Sequence, residues 1–284
     1  MNTRKFKKRN LQEKPAIVIG SFGSTRRGKA AYRILEELIS SELWEYKVVW
    51  AYTSEIIREK TGHPGILEAL AELEADGYRK IIVQPLHIFP GVEYQELVDT
   101  CLSFPGLRIV IGETLLHRWH FVEEVLNIVA PDFLSLEQGI NIIVAHGTPL
   151  ATDSANILYI GLEYLLSQRF DNVFLSTIEG IPQKSTTFRQ LSLRLSKTSG
   201  LAGQQSIKVR FIPFMYVAGL HVEEDLIGES DSFKSELEEM GFEVDYLSVN
   251  YAGQLFPKGL GFYEEIPVCF LNRIQTALDL IKFY

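Results

Sequence analysis

Asn141-Ile142-Ile143-Val144-Ala145-His146-Gly147-Thr148-Pro149 sets an unbroken apolar run against a polar, glycine-containing turn. A run without polar alternation belongs to a strand buried on both faces, the habit of parallel sheets. A helical pattern opens a few residues later at Thr152-Asp153-Ser154-Ala155, so the segment reads as strand, tight turn and returning helix. Open α/β sheets bind ligands outside the carboxyl ends of their strands. His146 is then the first residue past such an end, and the small Gly147 and the hydroxyl of Thr148 leave its imidazole accessible. A histidine here is as readily a hydrogen-bonded loop residue as a functional group. What else reaches the same crevice decides between the two.

Working outward, the pattern of strand and helix recurs along the chain. Before this stretch, strands are expected at 16–20, 47–52, 80–86 and 107–111, with helices at 28–40, 66–76, after Tyr94 and at 117–129. After it, helices are expected at 154–167, 182–196 and 222–240, strands at 172–176, 206–216 and 242–247, and a terminal amphipathic helix from 267. Alternation of this kind predicts a parallel, doubly wound α/β architecture. The two series match in order. Pro85 to Gly91 parallels Pro213 to Gly219 with equal spacing, Tyr52-Thr53-Ser54-Glu55 parallels Ser176-Thr177-Ile178-Glu179, and Ile19-Gly20-Ser21 parallels Val144-Ala145-His146. Collinearity of three weak matches indicates two similar halves related by internal duplication, residues 15–136 and 137–262. A basic tail, 1–14, precedes them and a C-terminal helix, 263–284, follows.

Composition is consistent with this. A chain of 284 residues with 46% hydrophobic and 23% charged residues has the core for two soluble domains. It contains no apolar run of the ~20 residues a membrane span needs. The basic N-terminus is not followed by the 7–15-residue apolar segment of an export signal and reads as a disordered tail of a cytoplasmic protein. Cys101 and Cys269 stand in apolar surroundings and read as buried free thiols. Ten of the 28 basic residues lie in the first 33 positions, which leaves the rest of a chain of net charge −8 strongly acidic. That argues against a nucleic-acid surface and isolates one local basic patch at Arg26, Arg27, Lys29 and Arg33.

In the second half, three successive strand ends present His146, Glu179 and His221. Neighbouring strands lie ~4.8 Å apart, close enough for such side chains to meet on one ion. Two imidazoles and a carboxylate suit Co²⁺, Fe²⁺, Ni²⁺ or Zn²⁺ and leave coordination positions open; three unrelated loop residues are the competing reading. Gly23-Ser24-Thr25-Arg26-Arg27-Gly28-Lys29-Ala30 approaches a phosphate-binding loop, but Ala30 lacks the hydroxyl that would hold Mg²⁺, so no ATP chemistry is expected. Arg26, Arg27 and Lys29 at a helix start would instead suit carboxylates. His117 and His120 read as a solvent-facing helix pair, His63 as a turn residue, and His87 as either cleft-facing or core.

These residues carry a resemblance. Ala145-His146-Gly147-Thr148, Thr177-Ile178-Glu179-Gly180, Val217-Ala218-Gly219-Leu220-His221, Gln84-Pro85-Leu86-His87-Ile88 and Gly91-Val92-Glu93-Tyr94 resemble the anaerobic cobalt chelatases, with Ser21-Phe22-Gly23-Ser24 and Ala51-Tyr52-Thr53-Ser54 in support. That family consists of class II, ATP-independent enzymes of cobalamin synthesis that insert a divalent metal into the tetrapyrrole sirohydrochlorin. The resemblance implies Rossmann-like halves facing across a cleft, a terminal helix packed back on the first half, and His146, Glu179 and His221 as ligands of the incoming metal. Catalysis falls to His146, which takes a pyrrole proton as it leaves the metal, and to Glu93, which takes the other. Ser21, Phe22, Ser24, Arg26, His87, Phe89 and Tyr94 are expected to contact the ring, with Tyr216 adding an apolar wall. Two departures stand out: Leu220 replaces the family's Asp before the last His, and Pro85 replaces a small hydroxyl residue. Co²⁺ is the expected metal, with iron insertion into the same ring or a non-catalytic tetrapyrrole or metal-binding protein as alternatives. No nucleic acid or membrane partner is expected, and a homo-oligomer is compatible with the sequence.

Overall fold

A computed structural model describes residues 11–24, 28–195 and 207–283, excepting the side chains of residues 194, 195 and 220–222. The first half runs β1 (Ala16–Ser21), α1 (Lys29–Glu42), β2 (Lys47–Tyr52), α2 (Glu55–Thr61), α3 (Ile66–Ala75), β3 (Lys80–Pro85), α4 (Val92–Leu102), β4 (Arg108–Ile111) and α5 (Trp119–Val129). The second runs β5 (Gly139–Gly147), α6 (Ala155–Arg169), β6 (Val173–Glu179), α7 (Lys184–Leu195), β7 (Lys208–Pro213), α8 (Leu220–Ile227), α9 (Phe233–Glu239) and β8 (Glu243–Tyr246). A hairpin of β9 (Ser248–Tyr251) and β10 (Gln254–Pro257) leads into α10 (Glu265–Ile281). The four-stranded sheets have orders β2-β1-β3-β4 and β6-β5-β7-β8, every pairing parallel. The same order twice is what duplication of one unit requires.

Alternate residues of each strand serve different cores, as a period of two demands. Ala16 and Val18 pack with Leu70 and Leu73 of α3 and Leu97 of α4. Ile17 and Ile19 face the other way, in one cluster with Leu35 of α1 and Phe270 and Ile274 of α10. In β5, Ile142 and Val144 join Phe188, Leu191 and Phe233, whereas Ile143 and Ala145 belong with Tyr159 and Leu162 to the cluster that holds Ile17. One core therefore runs through both halves. Its seam includes Tyr32 stacked on Tyr216 at 5.2 Å, with Tyr216 edge-on to Phe270 at 5.9 Å. Each such ring, fully buried, contributes roughly 1.5–3 kcal/mol. The terminal helix α10 packs on β3, β4, α1 and α5.

Four expectations change. Helix α2 is absent from the sequence reading because it buries no residue, so it shows no apolar period; the Ser54 hydroxyl accepts from Ile57 N–H and Gly62 closes it with φ 72°. The expected helix 222–240 is two helices: Gly228 follows α8, and Ser232 with Ser235 forms a capping box that starts α9. The strand expected at 206–216 is confined to Lys208–Pro213. β8 is not the last strand, because β9 and β10 turn through Ala252 and Gly253, at φ 50° and 79°. Both central residues at positive φ are the hairpin geometry usually marked by Asn-Gly, and Ala-Gly carries no such mark. Cys101 and Cys269 are buried and unpaired; burial pushes their thiols up to about 12 and about 11. Among the described residues no helix is long and apolar enough to cross a membrane.

Strand pairing also corrects the match between the halves by one residue. Gly20 is in register with Ala51 and Pro85, and Val144 with Ser176 and Pro213. The Leu86 N–H donates to Gly20 O and the Phe214 N–H to Val144 O, both at 2.7 Å. Gly20 therefore corresponds to Val144, Phe22 to His146, Gly23 to Gly147 and Ser54 to Glu179. Gly23 and Gly147 are both left-handed, at φ 92° and 81°. Matching Ser21 to His146 paired polar residues that lie on opposite faces, because a slip of one residue reverses a strand's side chains. The pairing of Glu93 with His221 stands, since Gly91 and Gly219 precede α4 and α8 in the same extended conformation.

Candidate metal-insertion site

His146 is the penultimate residue of β5 rather than a loop residue, and it is exposed. Its Nδ1 lies 3.3 Å from the Gly147 carbonyl oxygen. In the tautomer that donates this hydrogen bond, the Nε2 lone pair is left for a ligand. Gly147 is in register with Glu179, the exposed last residue of β6. Two glycines let these strand ends close. At Gly147 a Cβ would run into the Glu179 carbonyl oxygen, and at Gly180 (φ 87°) into that of Thr148. Both clashes are with backbone, and both positions are left-handed, so no other residue fits cheaply. His221 occupies the second position of α8, and its side chain lies outside the described set. Among the described side chains no three His, Cys, Asp or Glu form a ready cage for a metal ion.

The facing wall comes from the loop after β3. Its backbone is pinned on both sides: the Leu115 N–H donates to His87 O at 3.0 Å, the Leu116 N–H to Ile88 O at 2.9 Å, and the Gln84 amide to Pro85 O at 2.8 Å and Glu113 O at 3.0 Å. His87 Nε2 stands 3.6 Å from Glu93 Oε2, with side-chain exposures of 8% and 53%. Glu93 sits in the first turn of α4, where a carboxylate suits the helix dipole. Phe89 is half-buried, its ring 4.5 Å from that of Tyr159. Tyr94 is half-buried and edge-on to His117 at 5.7 Å, and burial raises its phenol above the usual range. Phe22 is 52% exposed, Ser21 is buried and Ser24 is half-buried. Arg26 lies outside the described residues.

The two walls meet. The Ser154 hydroxyl donates to Pro90 O at 2.8 Å. The Asp153 carboxylate, which accepts from Ala155 N–H at 2.9 Å, stands against Gly91 so closely that a Cβ there would lie 3.1 Å from it. Tyr159 lies near the Gly147 backbone; burial raises its pKa first, and the charges of Asp153 and Glu93 raise it further. Tyr159 thus lies between Glu93 of one half and the end of β5 of the other.

A family model for "Cobalt chelatase (CbiK)" matches residues 15–279. The chain belongs to the cobalt chelatase family. It is 28% identical over 242 residues to the sirohydrochlorin cobaltochelatase CbiKC of Nitratidesulfovibrio vulgaris (strain Hildenborough), covering 80% of this chain and 81% of that one. It is 25% identical over 280 residues to the sirohydrochlorin cobaltochelatase of Salmonella typhimurium (strain LT2), covering 94% and 97%. Among solved structures, SirB from Bacillus subtilis with Fe³⁺ has the same fold, with a TM-score of 0.59, 16% identity and coverage of 93% of this chain and 96% of that one.

Two residues beside these strand ends escape the sequence reading, and an expected ring contact is lost. Asp153 and Tyr159 went unread in the sequence, because a tyrosine in a helix as apolar as α6 looks like core; the only signal was its polar tip on a buried face. Tyr216 is withdrawn as a ring wall, since it is 6% exposed and stacked on Tyr32. His117 precedes α5 instead of sharing its solvent face with His120, and Thr114 Oγ1 lies 3.4 Å from its Nδ1.

Proposed function

We propose that this chain inserts Co²⁺ into sirohydrochlorin without ATP, as a cytoplasmic enzyme of anaerobic cobalamin synthesis. The observation that carries the reading is the closure of the β5 and β6 ends through Gly147 and Gly180. Exposed His146 and Glu179 stand on those neighbouring strand ends, and the loop that precedes Glu93 abuts the start of α6, which supports this reading. Membership of the cobalt chelatase family and the names of two relatives point the same way.

Metallation of a tetrapyrrole is slow because the metal must shed its ligands while two pyrrole N–H protons leave. In this reading His146, Glu179 and His221 receive the metal, strip part of its water and keep positions open for ring nitrogens. The ring lies against Phe22, Phe89 and Tyr94, with Ser24 and His87 lining the same wall and Arg26 holding peripheral carboxylates; Ser21, buried on the opposite face of its strand, is not a ring contact. Glu93, half exposed on that wall, takes one pyrrole proton. His146 takes the other once the ion has passed to the ring and freed its nitrogen lone pair. No nucleic acid, membrane or nucleotide takes part.

The test is anaerobic incubation of the purified protein with sirohydrochlorin and either Co²⁺ or Fe²⁺, without ATP, followed by absorbance. Multiple turnovers, faster with Co²⁺, are expected. Stoichiometric binding without turnover, or faster insertion of Fe²⁺, contradicts the proposal.

A further inference from the structure

His87 is used only as a ring contact in the reading above, yet its surroundings are unusual for one. Its side chain is 8% exposed, and neither ring nitrogen has a hydrogen-bond partner. Buried polar atoms are seldom left unpaired in native proteins, and the exceptions ask for a reason. An apolar side chain would fill the same space at no such cost. Backbone on both sides of His87 is held by Gly20, Leu115 and Leu116, so the loop that carries the ring is fixed in place. It faces the Glu93 carboxylate, with Nε2 3.6 Å from Oε2. That is longer than a hydrogen bond, and rotation of the half-exposed Glu93 side chain closes it. Around the pair, Asp153 and Tyr159 approach Glu93 from the second half, and His117 with Glu113 stands on the far side of Tyr94.

We propose that His87 is the proton store behind Glu93, a positioning and relay residue that returns the carboxylate to its ionised form while the ring is still bound. The proposal rests on the reading of Glu93 as a proton acceptor. In the first step a pyrrole N–H bond breaks and an O–H bond forms on Glu93. In the second that O–H bond breaks as an N–H bond forms on His87 Nε2, leaving imidazolium beside carboxylate. Glu93 is then ionised again while the ring is still bound. After the product leaves, the stored proton returns through Glu93 to water. The carboxylate is thus cleared of its pyrrole proton before the product leaves, while His146 takes the second.

Single-turnover insertion of Co²⁺ into sirohydrochlorin, measured across pH for the parent, His87→Gln, Glu93→Gln and the double variant, tests this, with Co²⁺ titration and thermal melting of each. His87→Gln is expected to slow insertion by ~10², to remove one ionisation from the pH profile, to leave Co²⁺ affinity unchanged, and to lower kcat far more than it raises the KM for the ring. In the Glu93→Gln background it should add nothing. Added imidazole should restore much of the rate to His87→Gly, which keeps the test open if His87→Gln melts early. A parental rate and pH profile in His87→Gln, independent losses that multiply in the double variant, or no rescue by imidazole would each overturn the proposal. An inactive parent would instead refute the functional reading beneath it.

Discussion

The two sheets of this chain have one topology and two chemistries. Where β5 ends in His146-Gly147, β1 runs on into Phe22-Gly23; where β6 ends in Glu179, the chain after β2 offers Ser54; where α8 has His221 at its second position, α4 has Glu93. The left-handed glycine is common to both, at φ 92° and 81°. What differs is what lies against it: a Cβ on Gly23 would meet the Tyr52 ring, and one on Gly147 the Glu179 backbone. In the first half the turn packs on side chains, and Ser54 is consumed in capping α2. In the second it draws two strand ends together and leaves their polar side chains exposed. The same backbone device supports an apolar wall on one side and, in the function proposed above, a ligand set on the other.

The largest effect should separate His146 from its counterpart. His146→Ala is expected to abolish insertion and leave the melting temperature close to the parent's, because the side chain is exposed and outside the core. Phe22→Ala should raise the KM for the ring a few-fold and leave kcat nearly intact, as lost ground-state contact does. Equal losses in the two would erase the distinction between the halves. The glycines come next. Gly147→Ala combines positive φ with a backbone clash and should cost at least ~2–3 kcal/mol. Gly23→Ala, whose obstacles are side chains, should cost less in denaturant titrations; the reverse order would count against the closed β5–β6 end.

A smaller effect is expected at the residue before His221. Leu220→Asp should raise Co²⁺ affinity by ~10-fold, by orienting the imidazole, whereas Val92→Asp at the matching place in the first half should leave it unchanged. No difference between the pair would make this neighbour irrelevant to metal capture. The smallest concerns His117. Burial lowers its pKa from the ordinary 6.5, despite the opposing charge of Glu113. The folded state thus favours the neutral ring. Its stabilising contribution is complete above the unfolded pKa and is lost as pH falls through the lower folded one. His117→Asn should flatten the fall of melting temperature between about pH 7 and 5, without changing insertion at neutral pH. Superimposable melting curves across that range would contradict the assignment.

Much of this was legible in the sequence. Strands buried on both faces betray themselves as apolar runs, so β1, β3 and β5 could be found from composition alone. The Pro-to-Gly spacing led correctly from Glu93 to His221, because a turn of fixed length preserves its own register. Strand matches by residue type slipped by one, since a strand's pairing is set by hydrogen bonds to neighbours that the sequence does not display. Helix α2 and the β9–β10 hairpin escaped because neither carries an apolar period or an Asn-Gly turn. Asp153 and Tyr159 escaped for another reason: their place in the crevice depends on how the halves pack, not on anything local to α6.

The measurement that bears most directly on this division of labour is a Co²⁺ titration of Glu93→Gln and His146→Ala, read beside their insertion rates. Glutamine keeps the size and most of the hydrogen bonding of Glu93 but cannot take up a proton as a carboxylate does. If the metal is held by the second half and the proton accepted by the first, Glu93→Gln binds Co²⁺ like the parent and inserts it ~10²–10⁴ more slowly, whereas His146→Ala loses both. Weakened Co²⁺ binding in Glu93→Gln would mean that the ion site spans the two halves, and a parental insertion rate would return Glu93 to the first turn of a helix and nothing more.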